Sequence, residues 1–225
     1  MCGLFGMMST QLSKGEIEKP LAHMSYLTCF RGIDSTGLAF AYTAGRGKDK
    51  ATHIQVAKGV MTPPEFIKRQ DIQEIVYKNS SNIHVIAGHS RAATQGSITP
   101  ANAHPFRVGH LVGMHNGTVH GLAKDDKTDS ETIYEIMAKD GLQEAVNRMK
   151  YGAYALVWLD QIEDTINFIR NDQRPLYFAR CPGMINLWMS EKWMLETIIN
   201  YSSWRPNDCE IIAIDTDTHV SFDIG

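Results

Sequence analysis

The chain predicts an α+β protein of layered, mainly antiparallel sheets. Strands come in runs with helices placed between the runs, whereas a doubly wound parallel sheet alternates the two. No stretch reads G-x-G-x-x-G or G-x-x-x-x-G-K-[ST], so the nucleotide-binding motifs of doubly wound folds are absent. The length of 225 residues suggests one domain, or at most two small ones, with enough chain to bury a proper core.

The elements follow in order. CGLFGMMS, behind Met1, reads as a short buried strand. GEIEKPLAHMSYLTCFRG has apolar residues at helical spacing and ends in Gly32, which predicts a helix despite Pro20 near its start. LAFAYT and HIQVAKG read as strands flanking a turn at AGRGKDK. PPEFIKRQDIQEIVYKN predicts a helix with Pro in its first turn. IHVIAGHSR is a strand running into a loop. HLVGMHNGTV is a strand with Asn116–Gly117 at a turn, because Asn-Gly is a strong two-residue hairpin signal. TDSETIYEIMAKDGLQEAVNRMK reads as two short helices, the first capped at Asp129 or Ser130. YALVWLD, TINFIRN, LYFAR and INLWMSE are four strands in succession. WMLETIINY is a helix beside them, and CEIIAIDT and VSFDI are closing strands.

Composition excludes several classes. Hydrophobic residues make up 43% and charged residues 21%, with a net charge of −3 and no block of either sign. That leaves no nucleic-acid footprint and no membrane-surface patch. There is no apolar run near the length of a spanning helix, and no signal-peptide pattern at the N-terminus. Cys2, Cys29, Cys181 and Cys209 are scattered without C-x-x-C spacing. A zinc cage or disulfide framework is not expected, and the chain reads as cytoplasmic.

Four places carry chemistry. Cys2 stands behind the initiator Met1 and before a glycine. Removing Met1 would give Cys2 a free α-amine, with a pKa of about 7.7–8.0 beside a thiol of about 8.5. One residue then supplies nucleophile and base, with a bridging water between them. The plainer reading is a small hydrophobe on a first strand. Arg91 would emerge from a strand into a loop, as a substrate clamp or as a solvated surface residue. Asn116–Gly117 is a turn, or a side-chain amide and a backbone N–H presented as an oxyanion hole. Asp129 is an N-cap, or an acceptor for a substrate ammonium. Together these groups would suit free glutamine: thiolate on the carboxamide, donors on the oxyanion, Arg91 on the carboxylate and Asp129 on the ammonium.

The order of the motifs resembles the glutaminase domain of class II glutamine amidotransferases, a branch of the Ntn hydrolases. CGLFG matches the family's start, and RGIDSTGLAF resembles the RG-x-DS-x-G segment of glucosamine-6-phosphate synthase. GHSRAATQGSITPANAHPF, HNGTV and TDSET match three further segments in the right order, and YGAYALVWLD and RNDQRPLYFA resemble the sheet segments that follow. The resemblance implies a four-layer αββα sandwich of two mainly antiparallel sheets. It implies Cys2 as nucleophile, Asn116 and Gly117 as the oxyanion hole, and Arg91 and Asp129 on the substrate. It puts Thr94 and Gln95 in the pocket-lining loop and Arg31 near the site. It gives His104 and His115 a structural role through hydrogen bonding. It implies neither cofactor nor metal. His110, His115 and His120 are five residues apart, so on a strand they alternate faces and do not converge on an ion.

Two positions depart from the family pattern: Ala92 stands where an aromatic residue is common, and Gln95 where a histidine aligns. The expected organisation is a single glutaminase domain over 1–225 with no synthase domain. Its substrate would be L-glutamine, and its ammonia would go to a separate synthase or ligase. An oligomer is compatible with this reading. Two alternatives stand beside it: a γ-glutamyl amide hydrolase that transfers no ammonia, and a non-catalytic Ntn-fold binding module that keeps Met1.

Overall fold

Alternation within the first strand sets the layering. In β1 (Gly3–Met8), Leu4 and Met8 face one way and Phe5 and Met7 the other, and all four are buried. A strand buried on both faces lies between two other layers. The computed structural model describes residues 1–9, 13–45, 51–93, 96–123, 127–202, 204 and 206–224.

After β1 come α1 (Lys14–Leu27), β2 (Ser35–Ala44), β3 (Ala51–Gly59), α2 (Pro63–Phe66), α3 (Gln70–Asn79) and β4 (Ile83–Arg91). Then follow β5 (Phe106–Val108), β6 (Leu111–Thr118), α4 (Asp129–Asp140), α5 (Leu142–Met149), β7 (Ala153–Asp160) and β8 (Thr165–Arg170). The chain continues through β9 (Tyr177–Cys181), β10 (Ile185–Met189), α6 (Lys192–Tyr201), β11 (Glu210–Ala213) and β12 (Val220–Asp223). One sheet has seven strands in the order β11-β9-β10-β1-β4-β2-β3, the other five in the order β12-β8-β7-β6-β5. Every pairing in both is antiparallel.

Three apolar cores separate four layers. Ile17, Leu21 and Met24 of α1, Ile72 and Ile75 of α3, and Leu195 and Ile198 of α6 pack on Phe5, Leu38 and Leu187 of the larger sheet. Leu4, Ala87, Val112, Met114, Val157 and Trp188 fill the space between the sheets. Ile133, Tyr134 and Met149 of α4 and α5 cover Leu156 and Trp158 on the smaller sheet. The arrangement is helix, sheet, sheet, helix, the αββα sandwich that the motifs implied.

Local chemistry explains most boundaries. Ser13 and Glu16 form a capping box that opens α1, and the helix continues through Pro20. Gly141, at φ 86°, ends α4 and begins α5. Two expectations need correction, and one strand had not been expected. The predicted helix over 63–79 is two helices, because Arg69 is extended, at ψ 140°, and pairs with Asp71 at 2.6 Å. Strand β5 is too short to leave a periodic signal. Asn116–Gly117 is not a turn: both lie inside β6, opposite Ala155 and Tyr154 of β7. The glycine answers a close approach instead, since a Cβ there would fall 1.8 Å from the Ala153 carbonyl oxygen.

Candidate active site

Antiparallel pairing puts the start of β1 beside the end of β4, with Gly3 opposite Ser90. The C-terminal half of β6 and the first turn of α4 meet them at the same end of the sandwich. Cys2, Arg91, Ala92, His104, Gly117 and Asp129 all line one narrow cleft there.

Cys2 continues the row of Leu4 and Met8, so it belongs to the side of the sheet that faces β6. Its Sγ lies 3.6 Å from the Ala92 carbonyl. Burial pushes the thiol up, while the Met1 amine, Arg91 and Arg31 pull it down. Arg31 does sit at the site: its Nε donates to the Cys2 carbonyl at 3.0 Å.

Arg91 closes the row Val85, Ala87, His89, Arg91 on the inner face of β4. It is 4% exposed, so it is not a solvated surface residue. Its Nη1 donates to the Ser97 carbonyl at 2.9 Å. Gly96, at φ 71°, packs against it: a Cβ there would fall 3.6 Å from Arg91 Nη2 and 3.1 Å from Asn102 Nδ2. Thr94 and Gln95 lie outside the described residues.

Asn116 extends the row of Val112 and Met114 into the space between the sheets. It is 1% exposed, and its Nδ2 has no partner among the described residues. A buried amide with unspent donors is costly unless something accepts from it.

Asp129 is the first residue of α4 and not its cap, which corrects the capping expectation. Thr128 takes that role, its Oγ1 accepting from Glu131 N at 3.2 Å. Asp129 Oδ2 accepts from Val119 N and Oδ1 from Ser130 N, each at 2.8 Å. The carboxylate is thereby fixed at the cleft wall with lone pairs remaining.

Three buried histidines back the cleft. His89 Nε2 lies 3.1 Å from the His115 carbonyl oxygen, and His115 Nδ1 lies 3.0 Å from Ser130 Oγ. His104 departs from the hydrogen-bonding role expected of it. Neither of its ring nitrogens has a partner among the described residues, and its ring lies 3.9 Å from that of His89 and 4.8 Å from Phe106. Burial lowers all three pKa values, that of His89 to about 3. His110 lies 3.6 Å from Asp160, away from the partner of His115. Among the described residues no three His, Cys, Asp or Glu side chains cluster as metal ligands.

His89 and Glu191, which pairs with Arg31, were not singled out in the sequence, and Ser130 was read there only as a cap candidate. The period-two row 85-87-89-91 would have found His89. Glu191 is brought in by the tertiary fold, and no local signal marks it.

No family model matches the chain. It is 28% identical over 197 residues to a glutamine–fructose-6-phosphate aminotransferase (isomerizing) of Geobacillus kaustophilus, covering 78% of this chain and 30% of that protein. It is 27% identical over 223 residues to the protein of the same name from Pyrococcus horikoshii, covering 88% and 33%. The chain thus spans about a third of the length of the curated relatives it matches. Among solved structures, glutamine phosphoribosylpyrophosphate amidotransferase from B. subtilis superposes with a TM-score of 0.61 at 18% identity, over 100% of this chain and 49% of that one. The chain shares the fold of that amidotransferase's matching part. In sequence the chain is similar to the glutaminase domain of class II glutamine amidotransferases, as the ordered motifs implied. Among the described residues no helix is long and apolar enough to cross a membrane.

Proposed function

We propose that the chain is an N-terminal-nucleophile glutaminase that hydrolyses the side-chain amide of L-glutamine and supplies ammonia to a synthase or ligase. One observation carries this reading: the Cys2 thiol shares a cleft with a buried arginine, a helix-start carboxylate and Gly117, whose neighbour in sequence, Asn116, has a buried Nδ2 with no partner among the described residues. Those groups complement a carboxamide flanked by a carboxylate and an ammonium.

The steps follow from the groups. With Met1 removed, the Cys2 α-amine takes the thiol proton through a water, and Sγ attacks the amide carbon. Asn116 Nδ2 and the Gly117 N–H hold the tetrahedral oxyanion. Collapse breaks the C–N bond, and the nitrogen leaves as ammonia with the proton from the amine. Water then hydrolyses the γ-glutamyl thioester, which releases glutamate and restores the thiol. Arg91 and Asp129 hold the ends of the substrate that do not react.

Processed wild-type protein should release glutamate from glutamine, and Cys2→Ala should not. Activity that survives this substitution rejects the reading. Met1 is 67% exposed, and intact mass reports whether it has been removed. A fully retained Met1 together with inactivity supports the non-catalytic binding module. Ala92 favours a second reading, hydrolysis of larger γ-glutamyl amides, because it leaves a small side chain at the cleft wall. Turnover of γ-glutamyl conjugates well above that of free glutamine would select it.

A further inference from the structure

The corner between β10 and α6 reaches the start of the chain twice. Ser190 Oγ accepts from Leu4 N at 2.9 Å, and Ser190 N donates to the Leu4 carbonyl at 3.0 Å. That clamps β1 two residues beyond the nucleophile. Glu191, the next residue, holds the N-cap position of α6. A carboxylate there ordinarily accepts from the first turn of its own helix, yet Glu191 makes no such bond. Its Oε1 accepts from Arg31 Nη1 instead.

Arg31 has a side chain only 5% exposed and donates Nε to the Cys2 carbonyl at 3.0 Å. Its Nη2 has no partner among the described residues. A buried guanidinium is costly without a counter-charge, and Glu191 supplies it. The Glu191 side chain is itself 28% exposed, so packing does not demand its presence. A first residue has one peptide bond and frays unless it is tied down. The Cys2 carbonyl is the backbone handle nearest its thiol, and Arg31 holds it.

We propose that Glu191 is a positioning residue of this site: it orients Arg31, which fixes the Cys2 backbone and so aims the thiol. The proposal rests on the glutaminase reading and extends it to a residue that touches no substrate.

The test compares processed wild type with Glu191→Gln and Glu191→Asp. Glu191→Gln should lower kcat by about 10–100-fold, the scale of a nucleophile displaced by about 1 Å, with KM within about twofold. Glu191→Asp, which keeps the charge, should recover part of the loss. Alkylation of Cys2 by iodoacetamide should slow in Glu191→Gln, because the thiolate loses an aligned cation. Wild-type kcat in Glu191→Gln overturns the proposal, as does a rise in KM alone, or an Asp variant no better than Gln. If Glu191→Gln does not fold, Glu191→Asp decides: an intermediate kcat at unchanged KM supports the proposal, and wild-type kcat overturns it. A wild type that releases no glutamate rejects the glutaminase reading, and the alkylation rates still judge the positioning role separately.

Discussion

His115 Nδ1 lies 3.0 Å from Ser130 Oγ, and this contact ties the strand that carries Asn116 to the helix that begins at Asp129. Both residues are buried. Ser130→Ala removes one partner and leaves the imidazole nitrogen unsatisfied, at a cost of about 1–3 kcal/mol. Urea unfolding should show that loss, and steady-state kinetics a fall in kcat/KM as the proposed oxyanion donor and ammonium acceptor lose their common frame. Unchanged stability in Ser130→Ala would mean that the contact carries no weight.

Asn116 and Gly117 should fail in different ways. Asn116→Ala removes a donor whose Nδ2 has no partner among the described residues, so the fold loses little. The rate should fall by about 10²–10³, the scale of one oxyanion donor, with KM little changed. Gly117→Ala places a methyl 1.8 Å from the Ala153 carbonyl oxygen, which forces β6 and β7 apart. It should cost about 1–3 kcal/mol of stability as well as activity. Thermal unfolding beside kinetics separates the two; equal stability losses would contradict the assignment.

Asp129 bonds Val119 N and Ser130 N through its two oxygens, so its substitution reads out both structure and substrate. Asp129→Asn keeps one acceptor and loses the charge proposed to face the substrate ammonium. KM for glutamine should rise by about tenfold or more, the scale of a charge-assisted bond, with a smaller change in kcat. Glutamine and a des-amino analogue, tested on both proteins, check this. The analogue should be a poor substrate for wild type and lose little further in the variant.

The layered fold was legible because its signals are local and repeated: strands in runs, helices between the runs and apolar residues at helical spacing. The capping box of Ser13 and Glu16 that opens α1 was not read. Arg91 was legible as a residue at a strand end. Its burial was not, since that depends on a loop folding back through Ser97 and Gly96. Asn116–Gly117 was misread because hairpin chemistry is local, whereas the approach of Ala153 that requires the glycine comes from another strand. Asp129 was weighed as a cap because it is a capping type at the start of a helical run, whereas Thr128, one residue earlier, takes the role. Glu191 was illegible because 160 residues separate it from Arg31, and only the order of strands in the larger sheet brings them together.

The buried histidines predict an acid-sensitive fold. Burial lowers His89 from 6.5 to about 3, and His104 and His115 shift the same way. A histidine whose folded pKa is depressed favours the folded state while neutral. That stability is fully present above the unfolded pKa, near 6.5, and is lost as pH falls toward the folded value. Between those two values His89 contributes a slope of about 1.4 kcal/mol per pH unit, and His104 and His115 act in the same direction. The lowered carboxylates, Glu16, Glu65, Asp71, Glu74 and Glu144, have ordinary values of 4.5 or below, so their losses begin at lower pH. His219, an exposed residue, shifts in the same direction. Urea midpoints should therefore drop between pH 6.5 and 4.5, before carboxylate protonation dominates. His89→Gln should flatten the slope in that interval by about one proton. A wild type equally stable at pH 7 and pH 5 would show that these imidazoles are not held neutral by the fold.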